Sequence, residues 1–298
     1  MLKTPSMEHA PFAVLVPRAK PRRYVSMQLV LTYVFLAVLV LFVLTPFLWM
    51  FLGSFKPTYE LLKNQGQTLL IQHPTLANYR RLFQEYDFKR YFLNSTLVAT
   101  VTAVVATSVS SFAGYALARF RFPGRGFFGF LILVTQMLPG IAIIIPLFIW
   151  FKQFHLIDTY WALFIAYNAF AIPFCTWMLR GFFAGLPVDV EEAALIDGAS
   201  QLGAFLRVVV PLSAPGMLAT AIFSFILAWQ EFLFAVTFTS KAELRTLTVG
   251  IAAMRGKDVV DWGLLNAGVV VTTIPLAILF IFVQRYLVEG LTAGAVKG

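Results

Sequence analysis

The sequence predicts an all-α integral membrane protein with six spanning helices. Three observations lead there. Of 298 residues, 59% are hydrophobic and 12% charged, about half the charged share of a soluble domain. Mean hydropathy is +0.80, and apolar runs of about twenty residues recur along the chain, the length a helix needs to cross the hydrocarbon core. The basic residues gather in short clusters between those runs, a pattern that sets membrane topology. The net charge of +9 lies in these clusters, so it does not indicate a nucleic-acid partner. The single cysteine, Cys175, lies in an apolar run and excludes an intrachain disulfide or a cysteine-built metal site.

Residues 1–27 form a polar, basic tail with Arg18, Lys20, Arg22 and Arg23 just before the first apolar run. That run is longer than a signal-peptide core and no small-residue cleavage site follows, so it is expected to be the first span, 28–52, with Pro46 near its end. A mixed loop, 53–91, contains a charged and aromatic stretch suited to the membrane interface. The second span, 92–116, carries Thr96, Thr100, Ala103, Thr107, Ser111 and Gly114 at helical spacing, a stripe that lets helices pack closely. Arg119, Arg121 and Arg125 crowd the next turn. The third span, 127–151, is interrupted by Pro139-Gly140 and Pro146, with Gln136 beside the break. Carbonyls freed by such a break are tolerated only where protein or a water-filled cavity covers them. The fourth span, 160–183, holds Asn168 and Pro173 near its middle; the fifth is 217–239, the sixth 264–288, and residues 290–298 form a tail. Six spans put both termini on one side. Lys and Arg are nearly balanced across the two sides, but the cluster before the first span and the arginine-rich turn after the second place both termini in the cytoplasm.

Between the fourth and fifth spans, residues 186–216 read LPVDVEEAALIDGASQLGAFLRVVVPLSAPG. Asp189 is expected to cap a helix, with Glu192 at capping-box spacing and Glu191 beside it in the first turn, where the helix dipole favours negative charge. Ala193 and Ala194 continue the helix, and Gly198 ends it in a left-handed conformation. Ser200 caps a second helix, which Pro211 is expected to stop. The segment is a helix-turn-helix with small residues and carboxylates on its first helix.

Glu192-Ala193-Ala194, then Asp197-Gly198-Ala199, then Phe205, Val208, Pro211-Leu212 and Pro215 resemble the EAA motif of the membrane-spanning subunits of binding-protein-dependent ABC importers. ARFRFPGR after the second span, WQEFLF in the fifth and the closing GLTAGAVKG resemble carbohydrate permeases of the MalG type. The resemblance implies a type I importer permease whose cytoplasmic hairpin docks into an ATP-hydrolysing subunit through Glu191, Glu192, Ala193, Ala194, Asp197, Gly198 and Pro211. It also implies a second permease subunit, a MalF-like partner; an ATPase dimer that binds ATP and Mg; and an extracytoplasmic sugar-binding protein. The expected location is the inner or plasma membrane, in contact with lipid. The chain has no phosphate-binding loop of the GxxxxGK[ST] kind and no nucleophile–base or metal-ligand cluster, so it is expected to bind no cofactor and to catalyse no reaction.

Glu231 is the one carboxylate expected deep in a span, where a charge costs at least about 2–3 kcal/mol. With Trp229 and Gln230 it offers the groups a sugar needs: hydrogen bonds to hydroxyls and an aromatic face. Asn168 and Gln136 are further translocation-path candidates. Against these stands a structural role for Glu231, holding helices together. An ion-driven secondary transporter would show several intramembrane ionisable residues and an internal repeat, neither of which is evident. A permease for phosphate esters or amino acids would call for basic residues in the spans, which are read as free of them.

Overall fold

The computed structural model describes residues 27–63, 70–255 and 260–295; the N-terminal tail, with its arginine cluster and His9, lies outside the described residues. The chain divides into two units, 1–47 and 48–298. Helix α1, Met27–Ser54, supplies the described part of the first unit and has no charged residue in its first or last turn. Its 28 residues measure about 42 Å at about 1.5 Å per residue, enough to cross a bilayer. Thr32 and Thr45 donate their hydroxyls to the carbonyls of Gln28 and Leu41, four residues back, so they add no unpaired donor to an apolar helix.

The second unit continues with α2 (Thr58–Lys63), α3 (Ala77–Gln84), α4 (Phe88–Arg119), α5 (Arg125–Met137), α6 (Gly140–Gln153) and α7 (Tyr160–Gly185). The hairpin segment gives α8 (Asp189–Ile196), α9 (Gln201–Ala204), a π-turn (Phe205–Val209) and α10 (Val210–Leu212). Then follow α11 (Ala214–Gln230), α12 (Leu233–Phe238), a 3₁₀ turn (Ala242–Leu244), α13 (Leu247–Ala253) and α14 (Trp262–Ala295).

Helices α4 and α7 run parallel as the central pair. Asn94 meets Tyr160 at one end, Ser110 donates to the Ile172 carbonyl at 2.9 Å midway, and Tyr115 packs on Phe183 at the other end. Gly114 permits the closest approach: a Cβ there would lie 3.0 Å from the Arg180 nitrogen and 3.2 Å from the Thr176 carbonyl oxygen. Within the expected small-residue stripe, Ala103, Thr107, Ser111 and Gly114 are buried, which is helix packing. Helix α11 returns antiparallel, with Ser224 against Cys175 at 2.8 Å and Trp229 against Phe92.

The third predicted span is broken at Leu138-Pro139, where α5 and α6 meet at 96°. At 13 and 14 residues, each half is about 20 Å long, too short to span alone. The fifth predicted span is also interrupted, after Gln230, which corrects its reading as one helix from 217 to 239. The charged and aromatic stretch of the loop 53–91 contains the short helix α3, the same loop also holds α2, the connection between the fifth and sixth spans holds α13, and α14 continues to Ala295 instead of ending at 288.

At the end of the bundle away from the hairpin, side chains tie these connections down. Asn94 donates to the carbonyls of Glu243 and Arg245 and accepts from Tyr160. Asn78 donates to the carbonyls of Ser54, the last residue of α1, and of Lys56 just beyond it. Asp261 accepts from the Thr58 hydroxyl at 2.7 Å, from Arg81 at 2.6 Å and from the Leu264 amide at 3.1 Å. Burial pushes the Asp261 carboxyl up, but these three donors outweigh it and hold the acid below its usual value of 3.8. A lowered folded-state pKa means that the stabilisation is complete above the unfolded pKa and is lost as pH falls through the folded value. Thermal midpoints in detergent should therefore drop below about pH 4, and Asp261→Asn should flatten that acid limb. The loss is about 1–2 kcal/mol, kept small because the Arg81 side chain is 38% exposed. An acid limb equally steep in the variant would contradict this assignment.

Candidate functional site

The two adjacent carboxylates of α8 differ in environment: Glu191 is buried and Glu192 exposed. Glu191 is buried, and its carboxylate accepts from the Tyr115 hydroxyl and, at 3.0 Å, from the Arg119 Nε. Arg119 also donates to the Leu186 carbonyl at 3.0 Å, and Gln201 Nε2 reaches Glu191 at 3.4 Å. The Arg119 and Glu191 side chains are only 9% and 6% exposed. One ion pair thus fixes the hairpin to the end of α4 and to the exit of α7. Tyr115, Phe183 and Phe205 pack around it as a small apolar cluster.

Glu192 faces outward and forms no ion pair among the described residues. Beside it Ala193 is exposed, Ala194 half-buried, Asp197 exposed, and Ile196 is 85% exposed. An isoleucine left that bare beside an unpaired carboxylate and small residues makes a surface suited to contact. Helix α8 starts at Asp189, and no side chain caps it: Val188 occupies the cap position. Asp189 is therefore a first-turn residue acting through the dipole, a correction to its reading as the cap.

Gly198 has φ +86°, as expected. The Ala199 amide bonds the Ala194 carbonyl and the Gly198 amide bonds that of Leu195, the paired pattern of a Schellman turn. Ser200 then accepts the Gly203 amide at 3.1 Å and starts the second helix. Pro211 does not stop that helix, which runs to Leu212; a π-turn over Phe205–Val209 precedes it, closed by the Val210 amide on the Phe205 carbonyl. Proline lacks the amide and crowds the carbonyl four residues back, and a widened turn relieves that crowding. After Leu212 the chain turns by 77° into α11.

Because a Cβ at Gly198 would meet open space, Gly198→Val strains only the backbone. The expected cost is about 1–3 kcal/mol, concentrated in the turn between α8 and α9. Limited proteolysis should nick the variant there while leaving the spans intact, and an unchanged digestion pattern would refute this.

The path candidates scatter. Trp229 is buried, edge-on to Phe92 and stacked on Phe225, with its indole N–H on the Thr272 carbonyl at 3.3 Å. It is core, not an open aromatic platform. Gln230, next to it, is exposed. Glu231 ends α11 and caps α12, accepting the amides of Phe234 at 2.8 Å and Ala235 at 3.0 Å. That gives the carboxylate expected deep in the fifth span a local partner. Asn168 is buried, donating to the Phe164 carbonyl, while its Oδ1 has no partner among the described residues. Gln136, exposed beside the α5–α6 break, donates to the Phe170 carbonyl at 3.3 Å. Phe170 packs on Phe234, and Phe234 lies over Gly140, so the two interrupted helices adjoin. Arg180 lies within the fourth predicted span, correcting the reading of the spans as free of basic residues. Sequence reasoning also missed Tyr115 and Arg119 as partners of Glu191, because sequence spacing does not pair residues more than seventy positions apart.

Comparison with known proteins agrees with this architecture. Residues 106–293 match the family "Binding-protein-dependent transport system inner membrane component". The chain is 38% identical to the trehalose/maltose transport system permease protein MalG of Thermococcus litoralis, over 91% of this chain and 96% of the relative. It is 38% identical to the sulfoquinovosyl glycerol transport system permease protein SmoH of Agrobacterium fabrum, over 86% of this chain and 89% of the relative. In fold it matches a chain of a bacterial ABC transporter involved in the import of alginate, with TM-score 0.73 and 24% identity, covering 90% of this chain and 99% of the other. The protein therefore belongs to the binding-protein-dependent transport system inner membrane components: it is a multi-pass permease, a transport subunit and not a catalytic one.

Proposed function

We propose that this chain is one of two permease subunits of an ATP-driven importer for a di- or oligosaccharide or a related glycoside. Its relatives named for trehalose/maltose and sulfoquinovosyl glycerol transport, and the alginate importer sharing its fold, support a sugar as cargo. The hairpin lies in the cytoplasm with both termini, against an ATPase dimer that holds ATP and Mg. A binding protein delivers the sugar from outside, and a second, different permease subunit completes the path.

The observation that carries this reading is the division of labour on α8. The Glu191–Arg119–Tyr115 contact makes the hairpin rigid with α4, while Glu192, Ala193 and Ile196 remain outside for a partner. A carboxylate on an exposed helix face offers an arginine or lysine a charge-assisted bond, and alanines let the partner approach closely. Movement of the ATPases would pass through α8 into α4 and α7 as one body and rock the bundle about the path. The adjoining breaks at Pro139 and Glu231 bring helix ends, Gln136 and Gln230 to one region, which we assign to the path. Asn168 and Glu231 support its walls.

Purification of the full-length chain with its copurifying subunits, followed by vesicle uptake, tests the reading. Sugar-loaded binding protein should stimulate both ATP hydrolysis and uptake. Uptake by the chain alone, driven by an ion gradient, would establish a secondary transporter instead. A thermal-shift screen of the cognate binding protein that returns only non-sugar ligands would overturn the cargo class.

A further inference from the structure

We propose that a pocket between α5 and α7 binds the phosphodiester headgroup of an anionic phospholipid. The pocket measures about 400 Å³ and is lined by Arg125, Gly129, Phe130, Leu133, Trp177 and Arg180. That volume falls in the range of small-ligand sites. Neither arginine has a carboxylate within ion-pair distance among the described residues, whereas Arg81, Arg90 and Arg119 are all paired.

Arg180 is held for this task. Its guanidinium lies over the Trp177 ring at 5.2 Å, a cation–π contact that orients the planar fork without neutralising it. On the facing helix Gly129 leaves it room: a Cβ there would come within 3.3 Å of Arg180 Nη1. Arg125 opens α5 just after Gly124, which adopts φ +86°, so the turn delivers the second cation to the same recess. Two arginines converging on one recess suit a phosphate, which accepts paired N–H bonds.

The rim identifies the source of that phosphate. Phe130 and Trp177, which line the pocket, are 63% and 43% exposed, an aromatic edge suited to acyl chains at the interface. A soluble anion would gain nothing from that rim. A lipid uses both parts at once, its phosphate on the arginines and its chains along Phe130, Leu133 and Trp177. The site lies at the start of α5 and in the last turns of α7, beside the hairpin segment, and span ends are where headgroups lie.

Native mass spectrometry on the full-length chain with its copurifying subunits, after mild delipidation from an equal mixture of phosphatidylglycerol and phosphatidylcholine, tests the proposal. The wild type should retain phosphatidylglycerol over phosphatidylcholine by about tenfold or more, and R125Q/R180Q should bring the ratio near one. Gly129→Leu, which fills the recess with both arginines present, should also lower the ratio, and it carries the test if the double variant fails to fold. An unchanged ratio in both variants would overturn the site. So would an equal loss in R121Q, on the same turn but outside the pocket, or displacement of the lipid by millimolar inorganic phosphate.

Discussion

Glu192→Lys should leave the protein inserted and folded yet abolish coupling. The side chain is exposed and makes no ion pair among the described residues, so reversing its charge costs the folded permease almost nothing. At a docked interface the same change places a cation where the partner expects an anion, a loss of about 2–5 kcal/mol for a hydrogen-bonded charge pair. Sugar-stimulated ATP hydrolysis and uptake should therefore fall by at least about tenfold, while the thermal midpoint of the purified permease stays put. Wild-type uptake in the variant would remove the contact role from α8 and leave the motif without a function in this chain.

The neighbouring residue should behave in the opposite way. Glu191→Ala leaves the Arg119 guanidinium, whose side chain is 9% exposed in the wild type, with the Leu186 carbonyl and no carboxylate among the described residues. Removing one partner of a buried ion pair costs about 3–5 kcal/mol, because the surviving charge stays desolvated. The thermal midpoint should fall measurably, and the hairpin should become susceptible to protease along its whole length. Coupling then fails as a consequence of lost structure. Arg119→Met combined with Glu191→Leu distinguishes the pair from its parts. Removing both charges should recover much of the stability that either single change loses, since apolar replacement of a buried pair is often nearly neutral. Strictly additive losses would show that the two residues act independently. Together the two substitutions separate a contact residue from a holding residue at consecutive positions.

Much of the fold was legible beforehand because it follows from local rules. A run of about twenty apolar residues has one stable answer in a membrane, since every backbone amide must find its partner inside the segment. Gly198 announces its left-handed turn, and Ser200 its cap, because both act on amides within three residues. The Pro139-Gly140 pair announced a break in the third span, though not that the two halves would meet at 96°.

Other features depend on parts of the chain distant in sequence. Trp229 reads as a sugar platform until α4 and α11 bring Phe92 and Phe225 around it. Glu231 reads as a charge stranded in a span until the helix ends there and the amides of α12 turn toward it.

From its sequence alone this protein was fixed as a membrane-spanning helical bundle carrying an acidic hairpin, because apolar length, glycine conformation and capping chemistry are local. Only the tertiary structure decided which carboxylate of α8 holds and which one reaches out. Consecutive residues on a helix lie about 100° apart, and nothing within eight residues sets the rotation of α8. Arg119 and Tyr115, brought in by α4 from more than seventy residues away, set it.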